Sequence, residues 1–264
     1  MGEIGTLTRY GQLELEVHED AFLAGRAAAT SVAGVIEAEI AERGAAAVIL
    51  ATGNSQLSFY TALRSADVHW DRVRVFHMDE YLGIAPDHSA AFRRYMLENL
   101  VEATRPMAFF GIEGDAPDID AEIQRYRALL ERYQPVACVM GIGENGHLAF
   151  NDPPADFQEP EPVRVVELSE ASRHQQVGEG HFPRIEDVPT HAISLSIPAL
   201  LTPAHVFVVV PEARKARAVA ASLRGPITPE CPASILRTVP GARLYLDRES
   251  AAGLAGEPER EVDR

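Results

Sequence analysis

The chain is almost without lysine. Of its 24 basic residues 23 are arginine, and Lys215 stands alone. On a solvated surface the two residues serve almost equally well, so the bias says little about fold. It does mark Lys215 as a position where a compact ammonium, rather than a planar guanidinium, has a use. Basic runs are also missing: Lys+Arg 24 against Asp+Glu 39 leaves a net charge of −15. Neither nucleic acid nor an anionic membrane surface is an expected partner for such a chain. Cysteine is scarce too. Cys138 and Cys231 are the whole complement, and Cys138 lies inside an apolar run, which excludes a disulfide-stapled scaffold and fits a reducing cytoplasm. The opening Met1-Gly2-Glu3-Ile4-Gly5 lacks the basic and apolar regions of a signal peptide, and no apolar stretch is expected to reach the ~18–20 residues of a membrane helix. Internal repeats and low-complexity linkers are likewise absent. What the chain does have is 264 residues, 46% of them hydrophobic, enough for a large core and too many for a disordered tail.

Hydrophobic periodicity alternates short apolar runs with longer amphipathic ones. Helices are expected over Ala21–Arg43, Ser55–Leu63, Ser89–Leu100, Asp118–Arg132 and Glu212–Leu223. Strands are expected at residues 46–50, 73–76, 107–110, 136–140, 205–210 and 242–246. Strand and helix alternating at this pitch imply an α/β fold with a mostly parallel sheet covered by helices on both faces. Residues 151–190 break the pattern, with many Pro, Glu, Gln and His and only Val163–Leu168 strand-like; this is either a lid or an ordered surface excursion. The Glu- and Arg-rich end from Gly253 is expected to fray.

In parallel α/β sheets ligands sit beyond the C-terminal strand ends, so three loops carry the chemistry. The first, Ala51-Thr52-Gly53-Asn54-Ser55-Gln56, joins a strand to a helix N-terminus and suits an anion such as phosphate, although this loop taken alone is read first as Thr52 and Ser55 merely capping the helix. It has neither Walker nor dinucleotide glycine spacing. The second, His77-Met78-Asp79-Glu80-Tyr81, puts two adjacent carboxylates at a strand end. Neighbours in extended chain point opposite ways, so one of the two can face a cleft as a general base, the alternative being a surface or capping acid. His77 reads as a core histidine. The third loop, residues 141–154, has three glycines in six residues, then His147 and Asp152. It brings backbone and acid–base groups to one place, and no HExxH spacing or Cys/His cluster makes a metal pair of them.

Taken together, Ala51–Gln56, Phe76–Gly83 (FHMDEYLG), Gly141–Pro153 (GIGENGHLAFNDP) and Gly225–Leu236 (GPITPECPASIL) make the chain similar, over residues 45–245, to the glucosamine-6-phosphate deaminase (isomerase) family, which shares its fold with the 6-phosphogluconolactonases. The string after His147 is of the deaminase kind. The resemblance implies a three-layer αβα, Rossmann-like single domain over residues 1–252 with a lid at about 155–190 and a flexible tail at 253–264. It also implies a catalytic set: Asp79 as the base that moves a proton between C2 and C1 of the open-chain sugar, and His147 as the group that opens the ring. Asp152, where the family usually has Glu, and Asn145, where many members have Asp, would orient His147. Thr52, Gly53, Asn54 and Ser55 would cradle phosphate with Lys215, joined by a lid arginine, Arg173 or else Arg164. No metal or organic cofactor is implied. The expected partner is a small sugar phosphate, with a homo-oligomer left open. The alternatives are a galactosamine-6-phosphate deaminase, a 6-phosphogluconolactonase or a non-catalytic sugar-phosphate sensor.

Overall fold

A computed structural model describes residues 7–254. The chain starts with a short hairpin, β1 (Thr8–Tyr10) and β2 (Leu13–His18), that sequence periodicity does not mark. Helix α1 (Ala21–Arg43) follows. Asp20 caps it by accepting from Leu23 N–H at 2.8 Å, and Gly44 closes it in the left-handed conformation. By length and composition α1 is apolar enough to cross a membrane, contrary to expectation; here Ala24, Ala28, Ala29, Val32 and Ile36 are buried within the fold. Then come β3 (Ala46–Leu50), α2 (Leu57–Arg64), β4 (Val73–His77) and β5 (Asp79–Tyr81). Next, α3 (Phe92–Met96), a π turn (Leu97–Val101) and α4 (Glu102–Thr104) form one run before β6 (Ala108–Phe110). Asp118 caps α5 (Ile119–Tyr133), which leads to β7 (Ala137–Met140).

The segment expected to be irregular is not. It contributes β8 (Val163–Glu167), α6 (Glu170–Gly178) and, just beyond, β9 (His191–Leu195). Helix α6 escapes periodicity because its inward face carries Ser172, Gln175, Gln176 and Glu179 in place of apolar residues. The chain ends with α7 (Ile197–Leu201), β10 (His205–Val210), α8 (Ala216–Arg224), β11 (Arg243–Asp247) and a 3₁₀ turn at Ala252–Leu254. Of the segment expected to fray, residues 255–264 lie outside the described residues, as do the first six.

The main sheet has the order β1-β2-β11-β10-β7-β3-β4-β6, parallel throughout except for the β1–β2 pair. Two apolar clusters cover its faces, one around Ile49, Met140 and Val208, the other around α1 with Val48 and Val139. Alternate residues of the same strands go to opposite clusters, as pleating requires. The expected α/β layering is therefore present. An antiparallel sheet, β5-β9-β8, stands beside it and joins the lid segment to the strand that bears Asp79: Asp79 pairs with Ser194, and Arg164 with Ser194 from the other side.

Candidate active site

The loops after β3, β4, β7 and β10 and the C-terminal turn of α6 enclose one pocket of about 570 Å³. Thr52, Gly53, Ser55, Asp79, His147 and Lys215 all line it. Residues from four separate strand ends thus meet, as the parallel topology demands.

After β3, Gly53 at φ +108° turns the chain into a 3₁₀ turn (Asn54–Gln56) that runs on into α2. No side chain caps either the turn or the helix. Capping is thus not what Thr52 and Ser55 do: Ser55 Oγ is 3.2 Å from Gln56 Nε2, and both residues border the pocket beside the helix N-terminus. Uncapped amides and the positive end of the helix dipole favour an anion there. Asn54 points elsewhere, donating from Nδ2 to Glu179 O at 3.1 Å.

The loop after β10 supplies the cation. Glu212, held at φ +85° with its N–H on Asp247 Oδ2 (3.0 Å), opens a 3₁₀ turn, Ala213–Lys215. Lys215 is only 3% exposed, and among the described residues no carboxylate lies within 4.0 Å of its ammonium. Burial lowers its pKa against the pull of Glu179.

Asp79 and Glu80 separate as strand geometry requires. Glu80 is fully buried and accepts from Tyr81 N–H (3.0 Å), Phe92 N–H (3.0 Å) and Arg93 N–H (2.7 Å), so it is the capping acid, seated on the first turn of α3. Burial pushes its pKa up to about 7 against those donors. Asp79 faces the pocket, 6% exposed, with no side-chain hydrogen bond among the described residues. Burial, and then the charge of Glu80, raise its pKa well above the usual carboxylate range. His77 is a core residue: Nε2 accepts from Ile112 N–H at 2.7 Å, and burial together with Arg93 and Arg125 lowers its pKa to about 3.

The glycine loop after β7 builds a directed relay. A Cβ on Gly143 would come within 2.2 Å of the His147 ring, so only glycine lets the imidazole lie across the loop. His147 N–H donates to Asn145 Oδ1 at 3.1 Å, which fixes the amide with its oxygen toward the histidine. The same oxygen lies 2.7 Å from Nδ1, so Nδ1 carries the hydrogen. Asn145 Nδ2 then donates to Asp152 Oδ1 at 2.9 Å, a carboxylate that also accepts from Ser172 Oγ–H (2.5 Å) and Ser169 N–H (2.9 Å). Burial alone would raise the Asp152 pKa, but the adjoining His147, Ser172 and Asn145 hold it well below the usual carboxylate range. The relay holds the ring in one orientation and leaves Nε2 without a hydrogen-bond partner among the described residues.

Neither candidate lid arginine lines the pocket. Arg173 donates to Ile185 O at 2.6 Å, because α6 turns residues 172, 175, 176 and 179 inward and leaves 173 on its other side. Arg164, on β8, lies 3.4 Å from Glu159 and borders a separate cavity behind Asp152. Instead α6 and the turn after it contribute Gln175, Gln176, Glu179 and His181, none of which the sequence reading singled out. The available signal was Glu179, an acid at the C-terminal end of a helix, where the dipole disfavours it.

The family profile described as glucosamine-6-phosphate isomerases/6-phosphogluconolactonase matches residues 19–244. A glucosamine-6-phosphate deaminase of Exiguobacterium sibiricum is 35% identical over 211 residues, 80% of this chain and 82% of its own. One from Bacillus cereus is 33% identical over 201 residues, 76% of this chain and 75% of its own. Among solved structures, a monomeric glucosamine-6-phosphate deaminase superposes with a TM-score of 0.82 at 27% identity, covering 90% of this chain and 99% of its own. A 6-phosphogluconolactonase from Trypanosoma brucei, at 19% identity and TM-score 0.73, covers 95% of this chain and 100% of its own and shares the fold.

Proposed function

Starting from the fact that the chain belongs to the glucosamine-6-phosphate isomerase/6-phosphogluconolactonase family, we propose that it converts glucosamine 6-phosphate to fructose 6-phosphate and ammonia. One observation carries the choice within the family: Asp79, a buried carboxylate, faces the same pocket as Nε2 of His147, and neither has a hydrogen-bond partner among the described residues. Hydrolysis of a lactone needs a group to activate water and has no use for a second base. An aldose–ketose proton transfer needs both.

The phosphate lies on the amides and hydroxyls of Thr52–Ser55 and on Lys215, which leaves the sugar toward Asp79 and His147. His147 Nε2 takes the proton of the anomeric hydroxyl and returns it to the ring oxygen, opening the ring. Asp79 as carboxylate removes the C2 proton to give an enolamine and delivers a proton to C1. Water adds to the resulting C2 ketimine, the C–N bond breaks, and ammonia leaves a C2 ketone. The 2-amino group itself supplies the imine chemistry, so the residues suffice without a cofactor. Burial serves Asp79 well, because a carboxylate with a raised pKa is a stronger base toward a C–H proton once ionised. This reading places the chain in amino-sugar catabolism in a reducing cytoplasm, in keeping with its two unpaired cysteines.

Replacing Asp79 by Asn tests the assignment. Ammonia release should fall by about 10³-fold or more while KM stays near that of the wild type. Persistent ammonia release would remove Asp79 from the base role.

A further inference from the structure

The phosphate end of the pocket already contains an anion. Glu179, the residue that ends α6, lines the pocket together with Lys215 and His181, and its side chain is only 7% exposed. Its Oε1 accepts from Arg214 Nη1 (2.8 Å) and Gln175 Nε2 (2.8 Å), and Oε2 lies 3.4 Å from His181 Nε2. That His181 nitrogen is buried with no hydrogen-bond partner among the described residues. The Glu179 carbonyl accepts from Asn54 in the loop that would cradle phosphate. Three features make this arrangement unlike an ordinary ion pair. The carboxylate sits at a helix C-terminus, where the backbone dipole opposes it. It is buried, and the attraction of Arg214 and Lys215 with the His181 contact outweighs that burial, bringing its pKa down to about 2. It also faces the space that the proposed function assigns to a dianion.

We propose that Glu179 is a resident counter-anion of the phosphate site: in the unliganded chain it occupies the Arg214 guanidinium, lies against His181 Nε2 and partly neutralises Lys215, and substrate phosphate takes these groups over as the end of α6 swings away. Arg214 thereby becomes the guanidinium that meets phosphate in place of Arg173. It is suited to the exchange, since its side chain already bridges three segments through Glu144 (3.2 Å), Glu179 and Glu212 (2.5 Å). The exchange also selects its ligand: a neutral sugar cannot evict a bound carboxylate, and a phosphorylated one can.

The inference rests on the pocket being a sugar-phosphate site, and inorganic phosphate as probe separates the two. Titration calorimetry on the wild-type chain and on Glu179→Gln is expected to show phosphate bound by both, about tenfold more tightly by the variant, because one like charge has been removed from the site. Hydrogen exchange on the wild-type chain is expected to show faster exchange at residues 177–182 when phosphate is added, and it decides the matter alone should the variant fail to fold. Equal or weaker binding by a folded variant, or unchanged or slower exchange at 177–182 with phosphate bound, overturns the proposal while leaving the pocket reading intact. Absence of phosphate binding by both proteins overturns the pocket reading and this proposal with it.

Discussion

The two ends of the pocket are built on opposite rules. At the acid–base end the groups behind the reacting atoms are tied down: Asp152 accepts from Asn145, Ser172 and Ser169, and Asn145 accepts from both the backbone and the ring of His147, which leaves the Asp79 carboxylate and His147 Nε2 as the groups without a partner among the described residues. At the phosphate end the helix amides are uncapped and Lys215 has no carboxylate within 4.0 Å among the described residues, while Glu179 in the pocket holds the neighbouring Arg214 and Gln175 donors. The difference follows from the tasks. A proton-transfer group must keep one tautomer and one orientation, which a closed hydrogen-bond relay enforces. An anion site must keep its donors for the ligand, which means leaving them unsatisfied at some cost in stability.

Breaking the closed end should have the larger effects. In Asp152→Asn the amide can no longer accept from all three donors. Asn145 then turns its NH₂ toward His147, Nδ1 loses its hydrogen, and Nε2 can no longer accept; kcat is expected to fall by about 10³-fold with little change in KM, measured by steady-state ammonia release. Gly143→Ala drives a methyl into the His147 ring and should cost about 100-fold in kcat, with a crystal structure showing the imidazole displaced. Opening the other end acts on binding. Lys215→Met should raise KM about 30-fold and leave kcat within a few-fold, since it removes a charge-assisted contact distant from the reacting carbons. Glu80→Gln is the finest probe. Activity requires Asp79 ionised and is lost as pH falls through its raised pKa; removing the neighbouring charge lowers that pKa, so the acid limb of the pH–kcat profile should move to lower pH.

The same contrast explains what the sequence disclosed. Loops after buried parallel strands are legible because the strands are near-continuous apolar runs and their ends fall at fixed places: Ala46–Leu50 predicted the position of Thr52–Ser55, and Val136–Met140 that of His147. The alternation of Asp79 and Glu80 was likewise readable, although two of the three backbone donors that make Glu80 the capping acid, Phe92 N–H and Arg93 N–H, come from a helix start twelve and thirteen residues on. Helix α6 was not readable. Its inward face is polar because it faces a pocket, and a hydrophobic period cannot reveal a helix that packs against solvent-filled space and other polar groups. For the same reason Arg173 was assigned to the phosphate from its place in a motif, while one step of 100° around α6 from the inward-facing Ser172 carries it off the pocket. Lys215, singled out by composition and by the family motif, does line the pocket.

The most direct measurement incubates the chain in parallel with glucosamine 6-phosphate, galactosamine 6-phosphate and 6-phosphogluconolactone and follows ammonia and lactone. The account predicts ammonia and fructose 6-phosphate in equal amounts from glucosamine 6-phosphate, with no enzyme-dependent loss of lactone. Lactone hydrolysis without ammonia from either amino sugar would contradict it.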